Sequence, residues 1–408
     1  MSLTQSFRRL IKRPDRERVV ILGSGWAGYT VARQLDPKKY QAVVVSPRSY
    51  FAFTPLLAST SVGTLEFRTA LEPVRSKRSK VNYFQGWADT VDFKKKVVTI
   101  EEAVDDPERS QSPTQDRHAG VTKEESDSKI QQEIKKGKLF GLSYDKLIIS
   151  VGSYSQTFGT PGVKENALFL KDVGDARKIR NRLLACFEAA ALPTTSDEMR
   201  RTLLNFAIVG GGPTGIEFSA ELHDLIKEDL KRLYPELIPF HKITVYDVAD
   251  KVLPMFDEKL AKYAMDTFNR EGIAIKTNHH VQELRQGSPR KGQNPDEDDH
   301  GCFTLKVKEE GDIGVGMVVW STGLMQNPFV AKILRDAPQL SGSDVKLLSE
   351  KGNSPPDTWE FKKDERSGSI LTDDRLRVKL VEQGEGDQKG EAVVNGMFLR
   401  MTCMRDAY

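Results

Sequence analysis

Arg18-Val19-Val20-Ile21-Leu22-Gly23-Ser24-Gly25-Trp26-Ala27-Gly28 is the stretch that decides the fold. Val19 to Leu22 is a continuous apolar run, the pattern of a strand buried on both faces. A G-x-G-x-x-G follows at once, the chain then reads as a helix through Ala32 and Leu35, and Ala42-Val43-Val44-Val45 is a second buried strand. A strand–helix–strand unit of about 30 residues implies a parallel sheet. In such a loop Gly23 permits the tight turn, Gly25 lets the backbone approach a pyrophosphate, and Gly28 packs the helix on the strand. The phosphates sit at the helix N-terminus, where free N–H groups and the dipole favour negative charge, so Trp26 and Ala27 fall within the dinucleotide site.

The unit recurs downstream. Phe206-Ala207-Ile208-Val209 reads as a strand, Ile216 to Leu233 as a helix, and Ile243-Thr244-Val245-Tyr246 as a strand. Between the first two lies Gly210-Gly211-Gly212-Pro213-Thr214-Gly215, in which Gly210, Gly212 and Gly215 fill the three glycine roles. The two units differ at the end of the second strand. Downstream that strand ends in Asp247, a carboxylate that accepts both ribose hydroxyls and repels a 2′-phosphate, which favours NADH over NADPH. Asp247 lies 37 residues after Gly210, which implies a lengthened crossover through Lys231 to Phe240. Upstream the strand ends in Ser46-Pro47-Arg48: Ser46 is expected to bond a hydroxyl weakly, and Arg48 to lie near the adenosine end or a phosphate. The fold class is therefore α/β with two Rossmann-like dinucleotide-binding domains. Two dinucleotides imply FAD as a held relay and NADH as the coenzyme that comes and goes.

The chain has 408 residues, with Lys+Arg 61 against Asp+Glu 58, a net charge of +3. That balance carries no nucleic-acid footprint. No run approaches the 18 apolar residues of a spanning helix. Cys186, Cys302 and Cys403 stand far apart and form neither a C-x-x-C nor a zinc spacing, so no metal is expected. Gly28 to Cys186 contains no cysteine before Cys186 itself, which excludes a dithiol relay beside a flavin. Met1 to Glu17 carries Arg8, Arg9, Lys12, Arg13 and Arg16 around Phe7, Leu10 and Ile11, and reads either as a mitochondrial address or as a basic tail. The domain reading is a first part of the FAD domain over 18–171, an NADH domain over 172–330 and a second, incomplete part of the FAD domain over 331–408. Asp105 to Lys138, Gln286 to His300 and Ser341 to Ser367 read as polar insertions.

Beyond the glycine loops, Ser46-Pro47-Arg48-Ser49-Tyr50-Phe51-Ala52-Phe53-Thr54-Pro55-Leu56-Leu57, Gly63 to Arg68, Tyr144 to Gly152, Gly210 to Glu221, Val318 to Gly323 and Asp374 to Val378 are distinctive. Together they make the chain resemble the type II NADH dehydrogenases, single-chain NADH:quinone oxidoreductases that do not pump protons. Trp26 and the Ser-Pro-Arg strand end are similar to mitochondrial, especially fungal, members. The resemblance implies the pyridine nucleotide-disulfide oxidoreductase-like fold, FAD and NADH as cofactors, ubiquinone as acceptor, and a peripheral place on the mitochondrial inner membrane. Carried onto this chain, Gly23, Gly25 and Gly28 face the FAD pyrophosphate, and Thr54 and Pro55 run past the flavin ring. Gly152 joins the two domains, Gly210, Gly212, Thr214 and Gly215 take the NADH pyrophosphate, and Asp247 takes its ribose. Glu217 lies near the nicotinamide, or is an ordinary first-turn helix acid, and Gly323 closes the nicotinamide side.

The match departs near the C-terminus. After Asp374 to Val378 the family shows a strand followed by Gly-Asp, whereas this chain runs Val394 to Tyr408 without that pair, and Asp406 stands in another context. The resemblance thus implies a C-terminally truncated member, lacking the region of the quinone site, membrane-docking helices and dimer contacts. Weak FAD binding and little quinone reductase activity are expected of it. Two other readings share the loops: a flavoprotein reductase of the apoptosis-inducing-factor or ferredoxin-reductase kind, and a non-catalytic NADH-binding remnant.

Overall fold

The structure is a computed structural model that describes residues 13, 15–76, 80–103, 137–289, 300–333, 345–347, 359–364, 369–382 and 391–399. Most of the leader, most of the three insertions, Asp406 and Cys403 lie outside the described residues; within Ser341 to Ser367, read from sequence as an insertion, the described residues hold two short strands, Val345–Leu347 and Trp359–Phe361. The chain divides into two compact units: 1–51, 72–154 and 326–408 form one, and 52–71 with 155–325 form the other. The junctions near the second glycine loop fall at 154/155 and 325/326, against 171/172 and 330/331 drawn from the sequence.

In the first unit β1 (Glu17–Leu22) pairs in parallel with β2 (Tyr40–Ser46), and α1 (Trp26–Gln34) connects them. Val20, Ile21 and Leu22 are fully buried, as the unbroken apolar run requires of a strand covered on both faces. β3 (Asn82–Asp92) adds in parallel beyond β2. β4 (Val97–Glu102) and β5 (Leu139–Ser143) then continue antiparallel. β6 (Lys146–Ile149) pairs in parallel on the other side of β1.

In the second unit a short α2 (Leu57–Val62) precedes the main body. Five parallel strands follow in the order β7 (Leu168–Phe169), β14 (Met317–Trp320), β8 (Asn205–Val209), β9 (Lys242–Tyr246) and β10 (Ile273–Lys276). An antiparallel sheet of β11 (Val281–Gln286), β12 (Phe303–Val307) and β13 (Gly311–Val315) lies between β10 and β14 in sequence. The core is built from α2, α3 (Val173–Ala191), α4 (Asp197–Leu203), α5 (Pro213–Leu225) and α6 (Glu258–Glu271) against the parallel strands. Leu57, Ala58 and Val62 are part of that core beside Phe187, Phe206 and Phe218. The lengthened crossover is present: α5 runs on through a π-helical turn at Ile226–Leu230, and a 3-10 segment follows at Pro235–Phe240.

The chain then returns to the first unit. β15 (Val345–Leu347), β16 (Trp359–Phe361), β17 (Arg377–Glu382) and β18 (Glu391–Leu399) extend its sheet, and β18 pairs in parallel with β6. A strand therefore occupies the place that follows Asp374 to Val378.

Candidate nucleotide cradles

The first glycine loop is anchored at both ends by backbone. Gly23 N–H donates to Val45 O at 2.8 Å, which ties the loop to the adjoining strand. Gly23 has φ +107°, and a side chain there would lie 2.2 Å from Ser150 O. A Cβ on Gly28 would lie 2.1 Å from Gly23 O, so these two glycines are required by the closeness of the chain's own backbone. Gly25 is different: a Cβ there meets nothing within 4 Å, and its backbone is extended at φ −77° and ψ −167°. The space above Gly25, at the N-terminus of α1, fits a pyrophosphate that comes close to backbone.

The second loop repeats this build in its main features. Gly210 N–H donates to Tyr246 O at 2.8 Å, and Gly210 has φ +118°. A Cβ on Gly215 would lie 2.0 Å from Gly210 O, whereas one on Gly212 meets nothing within 4 Å. Each loop is also closed from behind by a serine that neither glycine motif includes. Ser150, just after β6, donates from Oγ to Leu22 O at 2.9 Å. Ser321, just after β14, donates from Oγ to Val209 O at 3.2 Å. A Cβ on Gly28 would be 2.7 Å from Ser150 Oγ, and one on Gly215 2.7 Å from Ser321 Oγ. Each serine opens a Ser-x-Gly whose glycine, Gly152 or Gly323, has positive φ (+73° and +74°). The doubled Ser-x-Gly after an apolar strand is the signal in the sequence that points to them.

The strand ends diverge in the way the sequence implies, but with one correction. Asp247 accepts from Gly211 N–H and, through Oδ1, from Ala249 N–H at 2.8 Å, so its carboxylate is held at the mouth of the second loop. Ser46 occupies the equivalent place in the first loop, since Leu22 pairs with Val45 as Val209 pairs with Tyr246. Yet Ser46 is only 2% exposed; its hydroxyl shares a 2.9 Å hydrogen bond with the Ser24 hydroxyl and accepts from Arg48 N–H. Ser24 Oγ in turn reaches Tyr50 O at 2.8 Å. Ser46 is thus turned into the loop rather than out to a ribose, because buried hydroxyls must find partners and these are the nearest. Arg48 is half-buried beside it. Trp26 is 41% exposed and meets the Phe51 ring edge-on at 5.1 Å, while Tyr29 stacks on Phe51 at 4.9 Å.

Thr54 and Pro55 form a 3-10 turn leading into α2, and they belong to the second unit. Glu217 lies on the first turns of α5. Its carboxyl is held above the usual carboxylate range, first by partial burial and then by the charge of Glu221 one turn on. Glu221 accepts from Ser59 Oγ at 2.7 Å and from Thr64 Oγ1 at 3.0 Å. Gly323 is doubly constrained: φ is +74°, and a Cβ would lie 2.7 Å from the Phe158 ring.

The family profile of the pyridine nucleotide-disulphide oxidoreductases matches residues 17–337. The chain belongs to that family. The dithiol in the family's name has no counterpart among the described residues: Cys186 is fully buried on α3, and burial pushes its thiol up to about 11. Among relatives, the chain is 38% identical to the external alternative NAD(P)H-ubiquinone oxidoreductase B1 of Solanum tuberosum mitochondria, across 79% of this chain and 50% of that protein. It is 36% identical to the external alternative NADH-ubiquinone oxidoreductase of Yarrowia lipolytica mitochondria, across 82% of this chain and 52% of that one. These relatives agree with the type II NADH dehydrogenase resemblance. The chain spans about half the length of the curated relatives it matches. The structure of NDH2 from Plasmodium falciparum in complex with NADH superposes with a TM-score of 0.63 at 29% identity, over 79% of this chain and 58% of that one. An NAD-dependent persulfide reductase from A. fulgidus shares the fold, with a TM-score of 0.59 at 16% identity over 94% of this chain and 52% of that one. Among the described residues no helix is long and apolar enough to cross a membrane.

Proposed function

We propose that this chain carries the two-nucleotide machinery of a non-proton-pumping NADH:ubiquinone oxidoreductase. One observation carries the reading. The same glycine cradle is built twice, with open space above Gly25 and Gly212, but a carboxylate stands at the mouth of only the second. Two cradles of one shape and unlike charge suit two different dinucleotides.

The second cradle takes NADH: Gly210, Gly212, Thr214 and Gly215 face its pyrophosphate, and Asp247 keeps lone pairs for the ribose hydroxyls while repelling a 2′-phosphate. The first cradle takes FAD, with the N–H groups of Trp26 and Ala27 at the helix start and Gly23, Gly25 and Gly28 shaping the floor. Ser46 acts from beneath by fixing Ser24, and Arg48 lies beside the adenosine end. Thr54 and Pro55 pass the flavin ring, Gly152 turns the chain between the domains, and Gly323 closes the nicotinamide side. Bound FAD would accept a hydride from NADH and deliver the electrons to quinone. Glu217 stands near the nicotinamide end, its carboxyl held above the usual carboxylate range by partial burial and by the charge of Glu221. NADH, ubiquinone and a peripheral position on the mitochondrial inner membrane are supported by the relatives' names, which describe mitochondrial NAD(P)H- and NADH-ubiquinone oxidoreductases.

Visible spectra of the purified chain, recorded without oxygen before and after NADH, test the proposal. A bound flavin that bleaches on NADH addition supports it. A chain that binds NADH but takes up no FAD even when FAD is added in excess overturns it.

A further inference from the structure

The segment between Ala52 and Leu71 leaves the run of the first unit and packs with the second. Leu57, Ala58 and Val62 hold it to the core there. Apolar packing resists separation but is non-directional, so by itself it leaves sliding and rotation weakly opposed. Directional bonds are supplied by Glu221. The half-buried Glu221 of α5 accepts from Ser59 Oγ at 2.7 Å with one oxygen and from Thr64 Oγ1 at 3.0 Å with the other. The two hydroxyls bracket the end of α2, and between them Gly63 turns with φ +90° against the Arg180 guanidinium. Arg177 and Arg180 also lie over the Phe67 ring, at 5.4 and 5.8 Å. Both oxygens of one carboxylate are therefore committed to a segment more than 150 residues away in the chain, on the helix whose first turn carries Gly212 to Glu217.

We propose that Glu221 is a positioning residue: by bridging Ser59 and Thr64 it fixes the register of the Thr54–Gly63 segment against the coenzyme helix α5. The proposal rests on the reading that α5 begins the NADH cradle and that Thr54 and Pro55 pass the flavin. Small errors of register cost rate far more than affinity, because a misplacement of about 1 Å in a reacting pair loses on the order of 100-fold.

Glu221→Ala, Glu221→Gln and the double variant Ser59→Ala/Thr64→Val test it in the full chain. Glutamine keeps both bridges, its amide oxygen accepting from one hydroxyl and its N–H donating to the other. Amide hydrogen exchange of the 54–64 peptide is the first readout and needs no cofactor. Glu221→Ala and the double variant are expected to speed it about tenfold or more, the scale of one charge-assisted hydrogen bond, and Glu221→Gln less than about threefold on the same scale. The second readout is the split between binding and reaction. For Glu221→Ala the NADH Kd stays within about threefold while the flavin reduction rate falls at least about tenfold, and glutamine restores the rate. Unchanged exchange in Glu221→Ala, or glutamine as damaging as alanine, overturns the clamp. A wild-type chain that neither binds NADH nor reduces flavin would instead refute the assigned function, while the exchange result would still decide whether Glu221 grips the segment.

Discussion

Gly212 and Gly215 stand three residues apart in one loop, and the structure gives them opposite jobs, so alanine at each should fail in opposite ways. At Gly215 the added Cβ would lie 2.0 Å from Gly210 O and 2.7 Å from Ser321 Oγ. A carbon cannot approach a carbonyl oxygen closer than about 3 Å without displacing it, so the loop and the start of α5 must part by roughly 1 Å. Overpacking of this kind costs about 1–3 kcal/mol or more. At Gly212 the added Cβ meets nothing within 4 Å, and φ −75° with ψ 178° suits any residue. The only intrinsic loss there is a poorer helix N-cap, of about 0.5–1 kcal/mol. The methyl would, however, occupy the space in which the backbone is to meet a pyrophosphate. Urea denaturation and NADH titration, run on both variants, separate the effects. Gly215→Ala should lose stability well beyond Gly212→Ala, and Gly212→Ala should lose at least about tenfold in NADH affinity while remaining folded, roughly 1.4 kcal/mol of binding free energy. If Gly212→Ala binds NADH as the wild type does, the open space above it is not the phosphate seat. If the two variants unfold at the same denaturant concentration, the steric argument for Gly215 is wrong.

Asp247→Asn should weaken NADH binding on the order of tenfold and narrow the preference over NADPH, which side-by-side Kd measurements would show; an unchanged ratio would remove Asp247 from the ribose site. Ser321→Ala and Ser150→Ala should each cost about 1 kcal/mol in denaturation, and Ser321→Ala alone should diminish the stabilisation conferred by NADH; equal loss of that stabilisation in both would place NADH outside the second cradle. Asp175, buried under the N-terminus of α3, has its carboxyl pushed up from 3.8 to about 6, chiefly by burial. Its folded form therefore holds the proton more tightly than the unfolded chain, so the associated stability is present at low pH and is lost as pH rises from about 4 to 6. Compared with Asp175→Asn, the wild type should lose roughly 2–3 kcal/mol across that window, and parallel urea curves that keep a constant separation at pH 4 and pH 7 would contradict it.

Both glycine loops, their flanking strands and the lengthened second crossover could be read from sequence because each rests on local chemistry. Val19–Leu22 and Phe206–Val209 are too apolar for any place but a sheet interior, and a glycine with positive φ is a property of its own backbone. What could not be read is what depends on partners distant in the chain. Ser46 carries an outward-facing role on strand position alone; that its hydroxyl turns inward follows from Ser24 and Arg48, whose own orientations the sequence does not express. The doubled Ser-x-Gly marks Ser150 and Ser321 in the sequence, but their bonds are hidden for the same reason, as each reaches a carbonyl more than 100 residues upstream. The placement of Thr54 and Pro55 with the second unit is equally invisible, because it depends on Leu57, Ala58 and Val62 finding α3 and α5.

That excursion governs the order in which the molecule can be completed. Residues 52–71 leave the ribosome more than 100 residues before the helices whose apolar faces receive them. Until then Leu57, Ala58 and Val62 have no interior to enter, so the nascent chain must carry a short greasy helix uncovered, or lend it to a chaperone. An expression fragment cut at 155–325 would inherit the converse fault, a vacant apolar slot on its surface, and would be expected to clump unless 52–71 were supplied as a separate peptide.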